Sequence, residues 1–321
     1  MADVILAISY PTEDHTQAVF RGLAERGIPH ALLNQSDYPS VYQVAATWGG
    51  KAEPEARVQC ASGWVGLAEV RAAWWRRTTG YVAAPEITRP SMASFAVSET
   101  HEALEGLLDA LDCPWMNPRA ADTAAHHKPL QWTRAKRVGL EMPDTLITND
   151  PEQARAFVDR LGLGRVVVKP FLATHDVWRE TRKLTQEDLD RFDQLRLAPV
   201  ILQAFVDGVD LRITCVGQQL FTAEIDARKS SFPSDMRMVL GESIIAPIEL
   251  PAALQSALLA LMRSLGLEYG AIDMRRTEDG RYAFLEVNPA GQWLFAEHYT
   301  GLPITAAVTQ HLAHLGGYGE P

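Results

Sequence analysis

The segment from Asp273 to Trp293, DMRRTEDGRYAFLEVNPAGQW, constrains the fold more than any other part of the chain. It places two β-prone runs on either side of Asp279-Gly280. Asp-Gly between such runs is a strong signal for a hairpin with a two-residue type I′ turn, since both central residues of that turn need positive φ. Continuing the register away from this turn brings Asp273 opposite Glu286 on the neighbouring strand.

This hairpin is expected to collect three oxygen donors on one face. Asn288 shares the face of Glu286 and lies diagonally from Asp273, because side chains alternate faces along a strand. Two carboxylates directly opposite each other repel, so they need a proton, a basic partner or a cation. Oxygen donors of this kind suit Mg²⁺ or Mn²⁺. A solvated hairpin with scattered charges would show the same pattern, and the hairpin alone does not decide between the two.

The size and charge of the chain narrow the classes of protein. At 321 residues it is too long for one ordinary core, so we expect two or three subdomains. Its net charge of −10 argues against a nucleic-acid or membrane-surface partner, because such partners require a basic face. The three cysteines, Cys60, Cys113 and Cys215, are too scattered for a disulfide framework or a zinc site, so a reducing cytoplasm is the expected location.

The first 115 residues are predicted to form an open α/β domain. The run DVILAIS indicates a buried strand, an amphipathic helix ending at Gly27 follows it, and HALLN indicates a second strand. This order predicts parallel strands. The run VRAAWWRRTTG indicates a further strand, whose end carries Arg76 and Arg77. These arginines would face a substrate carboxylate or form a surface charge pair.

The remainder divides into a central region, residues 116–199, and a C-terminal region, residues 200–321. The central region contains a helix beginning near Lys128, a helix capped by Asp150 and the strand RVVVKP. The C-terminal region is richer in strands and predicts an antiparallel sheet. The fold class is therefore α/β followed by α+β.

Lysine is scarce, with six of the 30 basic residues, and one lysine has an unusual position. Lys169 closes the apolar strand VVVK, where an entering charge would cost several kcal/mol unless it met an anion. Lys128 is less distinctive, because a lysine at a helix start is usually solvated. The common glycine-rich phosphate loops are absent from the sequence, so any bound phosphate must be held by another architecture.

The chain resembles the ATP-grasp superfamily in the order and spacing of five features. They are Lys128, Lys169, the segment LQAFVDGVDLRIT, Asp273 and the motif E-V-N at Glu286 to Asn288. More specifically, WWRR, MPDTLITND, DLRIT and FLEVNPAGQW resemble the ATP-grasp peptide maturases, which install ester or amide crosslinks in graspetides such as microviridins. The resemblance runs over most of the chain, and FLEVNPAGQW is its most specific part. It implies an ATP-grasp fold of three parts, with ATP between the central and C-terminal regions.

The resemblance also implies roles for individual residues. The nucleotide phosphates would contact two lysines, the adenine would meet a hinge, an acidic residue would lie near the ribose, two arginines would act in catalysis and three residues would hold the metal. In that order the residues are Lys128 and Lys169; Gln203, Phe205 and Val206; Asp210; Arg212 and Arg237; and Asp273, Glu286 and Asn288.

The implied reaction uses ATP with Mg²⁺, expected as two ions, with Mn²⁺ as a substitute. A side-chain carboxylate of a ribosomal precursor peptide, made of leader plus core, would be phosphorylated and then attacked by a Ser or Thr hydroxyl or a Lys amine. Such phosphoryl transfer depends on positioning and charge neutralisation, so no protein nucleophile is required. A homodimer is a further expectation from the family.

Two alternatives stay open. An ATP-grasp ligase that joins two separate substrates would use the same residues, and so would a regulatory module that binds ATP without turnover. One departure from the family also matters. The segment FLATHDVWRETRK after Lys169 has no glycine, although many ATP-grasp enzymes have a glycine-bearing phosphate lid there. In graspetide ligases this neighbourhood helps to dock the leader peptide.

Overall fold

The computed structural model describes residues 3–50, 55–171, 181–228, 241 and 243–319. The chain begins with a four-stranded sheet in the order β2-β1-β6-β7, in which β1 pairs in parallel with both β2 and β6. The predicted open α/β start is therefore confirmed. The elements of this region are β1 (Val4–Ile8), α1 (Asp14–Glu25), β2 (His30–Leu33), β3 (Val44–Thr47), β4 (Glu55–Cys60), β5 (Gly63–Gly66), β6 (Val70–Trp75), α2 (Pro90–Asp109) and β7 (Trp115–Met116).

Strands β3, β4 and β5 form a small antiparallel sheet that the sequence pattern did not predict. Val58 and Cys60 of β4 and Val65 of β5 are buried in the same core as Leu6 and Ile8 of β1. The strands β3 and β5 have only four residues each, so their alternating pattern is too short to stand out from a loop.

The central sheet has the strand order β10-β9-β11-β8, and every pairing in it is antiparallel. The predicted boundary at residue 200 falls at the start of β11, which completes this sheet, so the sheet extends beyond the predicted central region. The elements are α3 (Arg119–Ala125), α4 (Lys128–Arg137), β8 (Thr145–Thr148), α5 (Pro151–Leu161), β9 (Val166–Lys169), β10 (Arg182–Lys183), α6 (Gln186–Asp190) and β11 (Val200–Ala204).

The C-terminal sheet is antiparallel, as predicted, with the strand order β14-β13-β12-β15-β16. Helix α7 ends at the left-handed Gly266, where φ is 71°, and packs its apolar face on this sheet. The elements are β12 (Val209–Val216), β13 (Gln219–Asp226), β14 (Ile244–Pro247), α7 (Ala252–Leu265), β15 (Tyr269–Arg276), β16 (Tyr282–Asn288), α8 (Leu294–Thr300) and α9 (Ile304–Leu315).

The hairpin β15-β16 reaches the predicted pairing by a different route. The type I′ prediction is wrong, because only Gly280 has positive φ, at 83°, and Thr277 donates its N–H to Arg281 O across a three-residue loop. That loop shifts the register by one residue near the turn. An irregularity between Asp273 and Met274 shifts it back, so Asp273 lies opposite Glu286 as predicted.

One apolar core joins the two ends of the chain. Ile5 and Trp74 of the first sheet pack in the same cluster as Tyr269 of β15, Trp293 and Val308 of α9. The N-terminal sheet is thereby fixed against the segment that follows β16. No helix among the described residues has the length and apolar character needed to cross a membrane.

Candidate active site

A cleft of about 710 Å³, open to solvent, lies between the central and C-terminal sheets. Seven of the predicted site residues line it, together with apolar side chains. The lining residues are Val167, Lys169, Thr181, Gln203, Ala204, Phe205, Val206, Asp210, Leu211, Asp273, Met274, Arg275, Leu285 and Glu286.

The two predicted carboxylates, Asp273 and Glu286, line this cleft, and each has a cationic neighbour. Asp273 Oδ1 lies 2.9 Å from Nε of Arg212, which faces it on the adjacent strand β12. Glu286 Oε2 forms an ion pair with Lys128 Nζ at the start of α4. The like-charge repulsion foreseen between the carboxylates is thus offset by two basic side chains, one from β12 and one from α4.

Lys169, at the end of β9, reaches the same site from the central sheet. Desolvation lowers the pKa of its ammonium group, and Lys128 lowers it further, whereas Glu286 and Asp273 raise it. The position fits the prediction that this strand lysine meets anions. The structure therefore brings together Lys128, Lys169, Arg212 and both carboxylates, although 158 residues separate the pair Lys128 and Glu286.

The predicted hinge, Gln203 to Val206, lies along one wall of the cleft. The Gln203 side chain is buried and donates to Thr145 Oγ1 at 2.8 Å, so it fixes the strand beside the cleft. Phe205 donates its N–H to Arg165 O, and Val206 O accepts from Arg275. Adenine contacts in this segment would therefore involve other backbone groups.

Arg275 is a residue that the sequence reasoning missed. Its Nη1 donates to Val206 O at 2.8 Å, and its Nε lies 2.9 Å from Asp210 Oδ1. It also lies 5.3 Å from the ring centroid of Phe205. The available signal was its position two residues after Asp273 on a strand, which places a second charge on the face of the first.

Two other arginine predictions have different outcomes. Arg237 lies outside the described residues. Arg76 is 2% exposed, and its Nη1 donates to Gly291 O at 2.9 Å, so the expectation of a substrate-facing or surface pair is wrong for Arg76. Arg77 donates to Ala290 O at 3.3 Å. A pairing with residues so distant in sequence leaves no local pattern.

The donor set fits a hard divalent cation that is shared with phosphates. Asp273 and Glu286 are directly paired, and Asn288 follows on the same face of β16, opposite Ala271. In the described part of the chain no three His, Cys, Asp or Glu side chains converge. An ion at this site would therefore take two carboxylates and an amide from the protein and complete its shell with phosphates and water, as Mg²⁺ commonly does.

The chain is similar to known proteins over most of its length. Residues 4–123 match the family described as the MvdD pre-ATP grasp domain. The macrocyclase MdnC bound with precursor peptide MdnA, from Microcystis aeruginosa, is 28% identical with a TM-score of 0.85, covering 97% of this chain and 99% of that one.

Two further solved structures share the fold at lower identity. A Chryseobacterium gregarium RiPP-associated ATP-grasp ligase, in complex with ADP and a leader and core peptide, is 23% identical and has a TM-score of 0.87 over 98% of this chain and 97% of that one. The ATP-grasp ligase PsnB, complexed with a phosphomimetic variant of minimal precursor, Mg and ADP, is 23% identical with a TM-score of 0.80 over 98% and 100%.

Curated relatives match a shorter part of the chain. A probable alpha-L-glutamate ligase from Citrobacter koseri is 28% identical over 61% of this chain and 66% of the ligase. A ribosomal protein bS6 L-glutamate ligase from Escherichia coli is 26% identical over 63% of this chain and 71% of the ligase. The matched segments thus span about two thirds of each relative.

Fold and cleft together define an ATP-grasp ligase, of the class that forms bonds to carboxylates and releases ADP. Within this class, the chain is similar over 97% of its length to the macrocyclase MdnC, and its residues 4–123 match the MvdD pre-ATP grasp domain family.

Proposed function

We propose that this protein closes ester or amide macrocycles in a ribosomal precursor peptide at the expense of ATP. The observation that carries the proposal is the convergence of Lys128, Lys169 and Arg212 on the paired carboxylates Asp273 and Glu286. Cations from three separate elements beside a carboxylate pair suit the triphosphate of a nucleotide and its metal.

The reaction balances in two steps. A carboxylate oxygen of a peptide Asp or Glu attacks the γ-phosphorus of ATP, and the bond to the leaving ADP breaks. A Ser or Thr hydroxyl or a Lys amine then attacks the acyl carbon of the resulting acylphosphate. Inorganic phosphate leaves with one of the former carboxylate oxygens, and the attacking group releases its proton. The peptide loses one water for each crosslink.

The residues of this chain would position and neutralise the reacting groups. Lys128 and Lys169 would contact the nucleotide phosphates, and Arg212 would face the phosphoryl group in flight, where fixed positive charge lowers the barrier. Arg237 is proposed as the second catalytic arginine on the basis of the resemblance alone.

The remaining roles follow the same resemblance. The hinge at Phe205 and Val206 would meet adenine, with Gln203 holding its strand, and Asp210 would lie near the ribose. Asp273, Glu286 and Asn288 would hold Mg²⁺, which supplies charge neutralisation when bound. We propose two ions, with Mn²⁺ as a substitute. A homodimeric assembly and a cytoplasmic location also belong to the proposal.

The test is the intact mass of a precursor peptide encoded by a neighbouring reading frame, measured after incubation with the protein, ATP and Mg²⁺. We expect a loss of one water per crosslink, abolished by Glu286→Gln. The matched control is Glu278→Gln, because Glu278 is an exposed glutamate in the turn of the same hairpin. An unchanged peptide mass with the wild-type protein would contradict the proposal.

The similarity to glutamate ligases supports a second candidate, the joining of two separate substrates. It predicts ADP and phosphate as well, but the acceptor would gain the mass of a free amino acid minus one water. The same mass measurement, repeated with free glutamate present, therefore separates the two functions. Nucleotide binding without ADP release, in the presence of the peptide, would instead point to a regulatory module.

A further inference from the structure

The segment that follows Asn288 is held by side chains from the first 117 residues of the chain. Three successive backbone carbonyls each accept a hydrogen bond from a different one of these side chains. The bonds run from Asn117 Nδ2 to Pro289 O at 3.3 Å, from Arg77 Nε to Ala290 O at 3.3 Å and from Arg76 Nη1 to Gly291 O at 2.9 Å. We call Arg76, Arg77 and Asn117 the carbonyl clamp.

Asn117 uses both ends of its amide in the clamp. Its Nδ2 also donates to Tyr269 O at 2.9 Å, and its Oδ1 accepts the N–H groups of Glu268 and Tyr269 at 2.9 and 2.8 Å. The side chain is 1% exposed. It therefore joins the start of β15 to the end of β16, with Tyr269 OH adding a bond to Gly291 O at 2.8 Å.

Arg76 is the member of the clamp whose burial costs the most free energy. Its guanidinium is buried, and a buried cation requires both a counter-charge and full hydrogen bonding. Glu13 supplies the counter-charge, with Oε1 3.4 Å from Nη2, and the ring centroid of Trp293 lies 4.8 Å from the guanidinium carbon. The N-terminal region thus places a buried charge next to one backbone carbonyl of the segment that follows Asn288.

The clamped segment in turn holds the Asn288 side chain. Ala290 donates its N–H to Asn288 Oδ1 at 3.0 Å, and Gly291 donates its N–H to Asn288 O at 3.1 Å. Gly291 is packed so closely that a Cβ there would lie 2.2 Å from Ala271 Cβ, and Ala271 is the strand partner of Asn288. The direction of the Asn288 amide therefore depends on the path of residues 289–291.

We propose that the carbonyl clamp positions Asn288, so that Arg76, Arg77 and Asn117 set the geometry of the metal site without touching the metal. The inference rests on the proposed function, because it takes Asn288 as a metal ligand. Groups that orient metal ligands typically change metal affinity 10- to 100-fold when removed. A clamp that merely joined two regions of the fold would lower stability and leave the metal dependence of the folded protein unchanged.

The first test uses Arg77→Met, because Arg77 is half-buried and its loss is better tolerated than that of Arg76. Arg71→Met is the matched control, an exposed arginine on the same strand β6 paired with Asp3. Two readouts need no peptide: amide hydrogen exchange at Ala290, and the Mg²⁺ concentration that gives half-maximal ATP binding. We expect faster exchange at Ala290 and a half-maximal Mg²⁺ concentration raised about 10-fold, with neither changed in the control.

A second variant, Gly291→Ala, displaces the segment directly, and Gly106→Ala is its control because a Cβ there meets nothing within 4 Å. Combining Arg77→Met with Asn288→Ala closes a double-mutant cycle. If the clamp acts through Asn288, Arg77→Met produces no further change in Mg²⁺ dependence in the Asn288→Ala protein.

Faster Ala290 exchange with an unchanged Mg²⁺ dependence, or fully additive effects in the cycle, would overturn the inference. So would ATP binding by the wild-type protein that does not depend on Mg²⁺. Failure of the proposed function is a separate outcome. If the variants show the expected Mg²⁺ shifts but the wild-type protein removes no water from any peptide, the inference about the clamp stands and only macrocycle formation is refuted.

Discussion

Arg212 and Asp273 lie directly opposite each other on β12 and β15, with Arg212 Nε 2.9 Å from Asp273 Oδ1. The proposed catalytic arginine is thus held by a proposed metal ligand, and its side chain is 8% exposed. This pair can hold the arginine in place before nucleotide binds, which reduces the reorganisation needed when charge develops on the phosphoryl group.

For Arg212→Ala we expect ADP release in the presence of peptide to fall at least about 100-fold, the loss typical for removal of one charge-stabilising donor. ATP affinity should change much less, because the guanidinium acts mainly on charge that develops during transfer. The measurement is steady-state ADP release beside equilibrium ATP binding. Arg281→Ala, at an exposed arginine in the hairpin loop, is the control. Equal losses in binding and turnover would contradict this assignment.

Removal of Arg275 should weaken both the fold and nucleotide binding. Arg275 is 6% exposed and joins Asp210 to the Val206 carbonyl, so Arg275→Met leaves a partly buried carboxylate without this partner. Breaking a buried pair in this way costs about 3 to 5 kcal/mol. We expect a lower urea midpoint and a higher Kd for ATP. An ATP affinity unchanged at a temperature where the variant is fully folded would refute the link between Arg275 and the hinge.

Gly208 and Gly280 provide a matched comparison of backbone constraints. Both have positive φ, 153° and 83°, but a Cβ at Gly208 would lie 2.2 Å from Arg276 O, whereas nothing lies within 4 Å at Gly280. We expect Gly280→Ala to cost about 1 kcal/mol and Gly208→Ala about 3 kcal/mol, because only the second adds a backbone clash to the φ strain. Chemical denaturation measures both, and similar costs would show that β12 and β15 can separate locally.

We expect His15 to make the free energy of unfolding decrease as the pH falls below 6.5. Burial lowers its pKa below the usual 6.5, and Arg76 and Arg77 act in the same direction, although Glu13 opposes them. Its Nδ1 donates to Glu13, so Nε2 is free of a proton and accepts the Trp293 N–H at 3.1 Å. Below pH 6.5 the unfolded state binds the extra proton first, and stability decreases as pH falls.

The measurement is the free energy of unfolding in urea from pH 7.5 to 5.5. We expect its slope against pH to be at most about 1.4 kcal/mol per pH unit for one proton. Glu13 does not contribute in this window. Its burial is outweighed by the His15 hydrogen bond and the Arg76 charge, which hold its pKa at about 2. The pKa of His311 is also lowered by burial, so His311→Gln is measured in parallel. If the slope of unfolding free energy against pH is the same in His15→Gln as in the wild type, His15 is not the neutral group responsible for it.

Local sequence patterns predicted the features that depend on neighbours in the chain. The parallel α/β start, the antiparallel C-terminal sheet and the pairing of Asp273 with Glu286 follow from local apolar periodicity and from a turn signal close to both strands. The turn type was wrong. Only the structure shows that a three-residue loop and a compensating irregularity in the strands restore the predicted register.

Tertiary structure decided the contacts that join distant parts of the chain. The pairing of Lys128 with Glu286 and the burial of Arg76 against Gly291 each connect residues more than 150 positions apart. Charged side chains look alike in sequence whether they are solvated or buried. Their role is set by which backbone carbonyl or carboxylate the fold brings within hydrogen-bonding distance, and no local pattern encodes that partner.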